Sequence, residues 1–88
     1  MELEFHNSFS KDIDKIKDKH IKNQCFELIE KMEALTTLSE LPDVKKLKGF
    51  QYFYRIKMGD YRIGIEYRKS KVIFKRFLLR KDIYKYFP

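Results

Sequence analysis

Cations recur at alternate positions of one short stretch, Arg55-Ile56-Lys57, and a third, Arg62, follows the pair Gly59-Asp60. Alternate residues of an extended chain share a face. Phe53, Arg55 and Lys57 therefore lie on one side, and Tyr52, Tyr54, Ile56 and Met58 on the other. The next run sorts the same way, with Tyr61, Ile63, Ile65 and Tyr67 opposed to Arg62, Gly64 and Glu66. A tight turn at Gly59-Asp60 folds one run onto the other and gathers Arg55, Lys57 and Arg62. Like charges opposite one another on a sheet are destabilising, so this grouping suits a face that holds an anion. Gly64 leaves a shallow place on that face. Taken singly, each cation also suits a solvated surface, and Glu66 is placed to neutralise Arg62 or Arg68.

Other chemistries have little to work with. The two histidines, His6 and His20, fall in the first part of the chain, away from these cations. Cys25 is the single cysteine, too few for an internal disulfide or a cysteine-based zinc site, which points to a reducing compartment. No metal and no cofactor are expected. The start Met1-Glu2-Leu3-Glu4-Phe5-His6 lacks the basic and apolar regions of a signal peptide, and no apolar run is long enough for a membrane helix. A cytoplasmic protein with no membrane partner is expected.

The net charge of +7 is unevenly spread. Residues 1–41 hold nine acidic and six basic side chains, and residues 42–88 hold four and fourteen. Concentrated positive charge costs self-repulsion, which a polyanionic partner relieves. Lys45, Lys46 and Lys48 lead into the basic strands as a loop suited to positioning phosphates. Arg76 and Lys81 extend the same charge toward the C-terminus.

The elements that must position these groups follow from periodicity. Eighty-eight residues, 43% hydrophobic with eight Phe and six Tyr, make one domain over 1–88 with a modest core. Leu3-Glu4-Phe5 alternates, enough for one edge or parallel strand. Apolar residues then recur at helical spacing at Phe9, Ile13 and Ile16, and again at Ile21, Cys25, Leu28, Ile29, Met32 and Leu35. The polar stretch Lys17-Asp18-Lys19-His20 interrupts them. Two helices, about 9–18 and 20–38, are predicted as a hairpin, with Cys25 in the core and His20 on the surface. Pro42 closes the helical region. The period then falls to two over about 50–58, 61–68 and 71–79, with turns at Gly59-Asp60 and Lys69-Ser70. The reading is an α+β fold: an N-terminal strand, a two-helix hairpin, a three-stranded antiparallel meander forming a twisted sheet, and a short C-terminal helical turn. The terminal aromatics are expected to pin the tail to the sheet, Tyr84 excepted.

Four blocks taken in order carry a family resemblance: Val44-Lys45-Lys46-Leu47-Lys48-Gly49, Tyr54-Arg55-Ile56-Lys57, Gly59-Asp60-Tyr61-Arg62 and Arg80-Lys81-Asp82-Ile83-Tyr84. Together with Ser10-Lys11-Asp12-Ile13 and the helical hairpin, they resemble the RelE/ParE superfamily of type II toxins, on its RelE-like side. The resemblance implies a ribosome-dependent endoribonuclease (an mRNA interferase) that cuts messenger RNA through attack of the 2′-hydroxyl, without a metal. It carries over five catalytic candidates. Lys57 matches the proton acceptor, a role open to an amine and closed to a guanidinium. Arg55 is its basic neighbour, Arg62 a clamp on phosphate oxygens, and Arg80 the group that stabilises charge or assists the leaving oxygen. Tyr84 stacks on a base or orients the nucleophile. Lys45, Lys46, Lys48, Arg76 and Lys81 are expected to bind RNA. The implied partners are a cognate antitoxin and mRNA on the ribosome.

One departure stands out. Many relatives carry His or Lys just before the arginine that Arg80 matches, whereas this chain has Leu78-Leu79. That leaves open a ParE-like gyrase inhibitor without nuclease chemistry. A non-catalytic RNA-binding module is a third reading.

Overall fold

The computed structural model describes residues 1–88. In chain order the elements are β1 (Glu2–Phe5), α1 (Asn7–Asp14), α2 (Lys19–Ala34), β2 (Val44–Lys46), β3 (Phe53–Met58), β4 (Tyr61–Arg68), β5 (Lys71–Leu79) and α3 (Arg80–Tyr86), with a short 3-10 turn at Leu38–Glu40. The five strands form one sheet in the order β1-β5-β4-β3-β2. β1 runs parallel to β5, and the remaining pairs are antiparallel. The expected α+β fold is therefore present, with a meander of four strands where three were expected.

Local chemistry explains the helix ends. His6 caps α1 through a ring nitrogen that accepts from the Ser8 amide at 3.2 Å, and the Asp18 carboxylate caps α2 by accepting from the His20 amide at 2.8 Å. The second helix stops at Ala34, short of the expected residue 38. Leu35 is extended, and the β-branched pair Thr36-Thr37 loses rotamer freedom in a helix. Leaving the helix lets the 3-10 turn bury Leu38 and Leu41. β2 lies where the sequence pattern predicts a loop. It has only three residues, two of them lysines, and gains its hydrogen bonds solely from β3. A short lysine-bearing edge strand also resists pairing with other chains.

Helices α1 and α2 cover one face of the sheet. The main core joins Phe9 and Ile13 of α1 and Cys25 and Met32 of α2 to Ile56, Ile63, Ile65, Val72, Phe74 and Phe77 of the strands. Phe74 and Phe77 both face this core although three positions apart. A register shift makes this possible: Gly64 pairs with Arg76 and Ile65 with Phe74, leaving Lys75 as the extra residue of a bulge. Pairing with β1 reaches only to Phe74. Beyond it the Asp12 carboxylate closes the open edge of β5, accepting from the Phe77 amide at 2.9 Å and from Arg76 at 2.8 and 3.1 Å.

The opposite face carries a second, smaller core. Leu47, Ile83 and Phe87 are buried there with Phe53 and Leu78 beside them, so α3 lies across the strands on this side. The expected loose turn is a seven-residue helix. The shallow place at Gly64 is filled from within: a methyl group added there would meet the Phe87 ring at 2.6–2.8 Å.

Candidate functional site

Register brings the predicted cations together. Lys57 pairs directly with Arg62, and Arg55 with Gly64, on the face turned away from α1 and α2. The chain between Lys57 and Arg62 turns at Gly59, which takes a positive φ of 57°. Arg80 reaches the same end of the sheet because its amide donates to the Asp60 carbonyl at 2.8 Å. Lys57, Arg62 and Arg80 thus gather around one turn. Tyr84 lies one helical turn beyond Arg80, so the two share a side of α3.

Their exposures differ. Lys57 and Arg80 are exposed, and Tyr84 is 62% exposed. Arg62 is not: it is 6% exposed, and one terminal nitrogen donates to the carbonyls of Gly59 at 2.8 Å and Tyr61 at 2.9 Å. The side chain expected to clamp a phosphate is folded back onto its own turn. Arg55 is partly buried; it donates to the Asp43 carbonyl at 3.2 Å, and its Nε is enclosed without a partner.

The RNA-binding candidates divide. Lys45 stands opposite Arg55. With Lys46, Lys48, Arg55 and Tyr84 it borders a groove of about 980 Å³ between the β2–β3 segment and α3. Lys46 borders this groove although strand alternation turns it to the side of Val44. Lys81 is exposed on α3 outside the groove lining. Arg76 is held elsewhere: Asp12 takes its guanidinium, which also lies 5.8 Å from the Tyr86 ring and is more firmly protonated than usual through the Asp12 hydrogen bond. Glu66 pairs with Arg68 at 2.7 Å and Lys75 at 3.6 Å, not with Arg62. The Arg68 hydrogen bond holds its carboxyl below the usual range.

Sequence reasoning passes over two groove residues. The pattern puts Phe50 at the start of a strand and Lys85 in a loose tail; both line the groove. Of the terminal aromatics only Phe87 pins the tail, while Tyr86 is 60% exposed.

Comparison with known proteins agrees with this architecture. The family model described as ParE toxin of type II toxin-antitoxin system, parDE, matches residues 3–84. Toxin RelE3 of Methanocaldococcus jannaschii is 42% identical over 89 residues, covering 100% of each chain. A chain of the RelB-RelE antitoxin-toxin complex from Methanococcus jannaschii superposes with a TM-score of 0.81 at 40% identity, over 97% of this chain and 99% of that one. A chain of the archaeal RelE-RelB complex from Pyrococcus horikoshii shares the fold, with a TM-score of 0.69 at 21% identity over 93% and 97%. The chain belongs to the RelE/ParE superfamily of type II toxin–antitoxin toxins, on its RelE-like side.

Proposed function

We propose that this toxin is a ribosome-dependent endoribonuclease that cleaves mRNA around the Gly59-Asp60 turn. The observation that carries the reading is the placing of Lys57, Arg62 and Arg80 around that turn by strand register and by the hydrogen bond from the Arg80 amide to Asp60. In the reaction the 2′-oxygen attacks the adjacent phosphorus while Lys57 takes the hydroxyl proton. The bond from phosphorus to the 5′-oxygen breaks and that oxygen takes a proton from water, leaving a 2′,3′-cyclic phosphate and a 5′-hydroxyl. Arg80 stands at the leaving oxygen, and Arg55 adds positive potential. Arg62 acts from beneath the surface, fixing the turn that carries Lys57 and contributing charge where the phosphorane forms. Preorganised charge of this kind is worth most where water is scarce. Tyr84 holds a base by stacking. The scheme routes no step through a metal: proton removal and charge stabilisation fall to Lys57, Arg55, Arg62 and Arg80.

The related RelB-RelE complexes support a cognate antitoxin for this chain. An acidic segment that folds over the basic face, or lifts α3 from it, is the form such a partner would take. A substrate on the ribosome also places the toxin in the cytoplasm.

Primer extension on mRNA from expressing cells tests the reading, wild type beside Lys57→Ala. New 5′ ends inside translated codons are expected, reduced about 10²- to 10⁴-fold in the variant, the span that a proton-transfer group contributes. A gyrase-binding toxin is favoured by one finding, the match to a family described by its ParE members. It predicts no new ends and undiminished toxicity of Lys57→Ala, with loss of DNA supercoiling in cells.

A further inference from the structure

Beyond the cleavage residues, the groove between the β2–β3 segment and α3 has the features of a second recognition element. Lys45, Lys46, Lys48 and Lys85 line it, none forms an ion pair, and no acidic side chain borders it. Two aromatic rings open onto it from different elements: Tyr84 from α3, and Phe50, 45% exposed, from the loop. A phenyl ring left that open between lysines is apolar surface that gains by being covered.

Its position is fixed in advance. The Phe50 amide donates to the Leu47 carbonyl at 3.3 Å, and Gly49 takes the positive φ of 86° that this turn requires. The Phe50 ring packs edge-on against Phe53 at 5.7 Å, and Phe53 packs edge-on against Phe87 at 5.6 Å. This row of rings leads from the groove to Gly64, so Phe50 is braced by residues that themselves rest on the sheet.

We propose that this groove is a nucleotide subsite in which Phe50 stacks on an RNA base next to the cleaved step, while Lys48 and Lys85 hold its flanking phosphates. The subsite deepens the nuclease reading and rests on it for the identity of the ligand. Single-stranded RNA fits better than an acidic peptide. Carboxylates would satisfy the lysines yet leave both rings uncovered, whereas every nucleobase offers a flat face to a ring and brings its own phosphate to a lysine.

Binding of a fluorescein-labelled 2′-O-methyl RNA hexamer, which lacks the attacking hydroxyl, measures the subsite separately from cleavage. Phe50→Ala should weaken binding about 5- to 100-fold, the worth of one stacked base. Phe50→Tyr should restore it, and Phe50→Leu, which keeps an apolar contact with Phe53, should not. A combined Lys48→Ala and Lys85→Ala variant should flatten the dependence of log K on log salt by about 0.7 for each phosphate no longer neutralised. The chain has no tryptophan, so Phe50→Trp adds a single reporter whose emission should be quenched by the hexamer. Unchanged affinity of Phe50→Ala overturns the proposal, as does a Phe50→Leu variant that binds like wild type. So does a dodecaglutamate peptide whose affinity falls as much as that of RNA in Phe50→Ala. If Phe50→Ala binds normally while Lys57→Ala stops cleavage, the subsite falls and the nuclease stands. If Phe50→Ala loses binding while wild type cleaves nothing, the reverse holds.

Discussion

At the scale of single residues, Arg62 and Lys57 are neighbours with different burdens. The Arg62 guanidinium is buried and holds two carbonyls of its own turn, whereas Lys57 is exposed and has no ion-pair partner. Truncating Arg62 removes hydrogen bonds to a charged donor and leaves carbonyls behind, a loss of about 2 kcal/mol. Arg62→Ala should therefore lower both thermal stability and cleavage, while Lys57→Ala lowers cleavage with an unchanged melting temperature. Equal melting temperatures for the two variants would remove the structural part of Arg62's role. Leu79 raises a separate point. It is 38% exposed, occupies the N-cap of α3 without a capping side chain, and directly precedes Arg80. A proton donor at this position would stand beside the group assigned to the leaving oxygen. Leu79→His should raise the cleavage rate about tenfold or more, within what general acids contribute, with a new dependence on pH near neutrality. An unchanged rate would show that the leaving oxygen is served from elsewhere.

At the scale of elements, α3 is held by a contact that no strand pattern announces. Phe87 rests on Gly64 so closely that a methyl group there has no room. Gly64→Ala should displace Phe87 and loosen α3, at a cost of about 1–3 kcal/mol typical of overpacking. Faster proteolysis at residues 80–88, with the protection of β4 and β5 retained, is the expected readout. Asp12 is a second such tie, since it replaces a missing strand along β5. Asp12→Ala leaves the Phe77 amide and Arg76 without their partner and should cost about 3 kcal/mol, measured as a shift in urea midpoint. What is legible in the sequence is what repeats: the period of two that outlines β3, β4 and β5, the helical spacing of Phe9 and Ile13 and of Cys25 and Met32, and the face shared by Arg55, Lys57 and Arg62. What is not legible depends on distant partners. β2 is a strand only because β3 lies beside it. Arg76 looks like another free cation until Asp12, 64 positions earlier, meets it across the edge of β5. Phe50 and Lys85 become neighbours of one groove only when α3 crosses the sheet.

At the scale of the whole molecule, the uneven charge acquires a geometry: the helices of the acidic half cover one face, and Arg55, Lys57 and Arg62 belong to the other. Burial on the helical side sets how stability responds to pH. Cys25 is wholly enclosed in the main core, and burial pushes its thiol from an ordinary value of 9.0 up to about 11. The folded state therefore favours the neutral thiol. Its contribution is fully present below pH 9, where neither state is ionised, and declines as pH rises toward 11, because only the unfolded chain gains by losing the proton. Two pKa units correspond to about 3 kcal/mol at the alkaline limit. Glu66 acts at the other end. Its carboxyl is held low by Arg68 and Lys75, so its contribution is present above the ordinary carboxylate value of 4.5 and is lost as pH falls below it. Urea midpoints should thus form a plateau between about pH 5 and 9. Cys25→Ala should start lower, through the small cavity it leaves, yet show a flatter alkaline limb, and Glu66→Gln should flatten the acid limb alone. A wild-type midpoint that holds steady from pH 9 to 11 would mean that the Cys25 thiolate forms in the folded chain as readily as in the unfolded one, which a sealed apolar core does not allow.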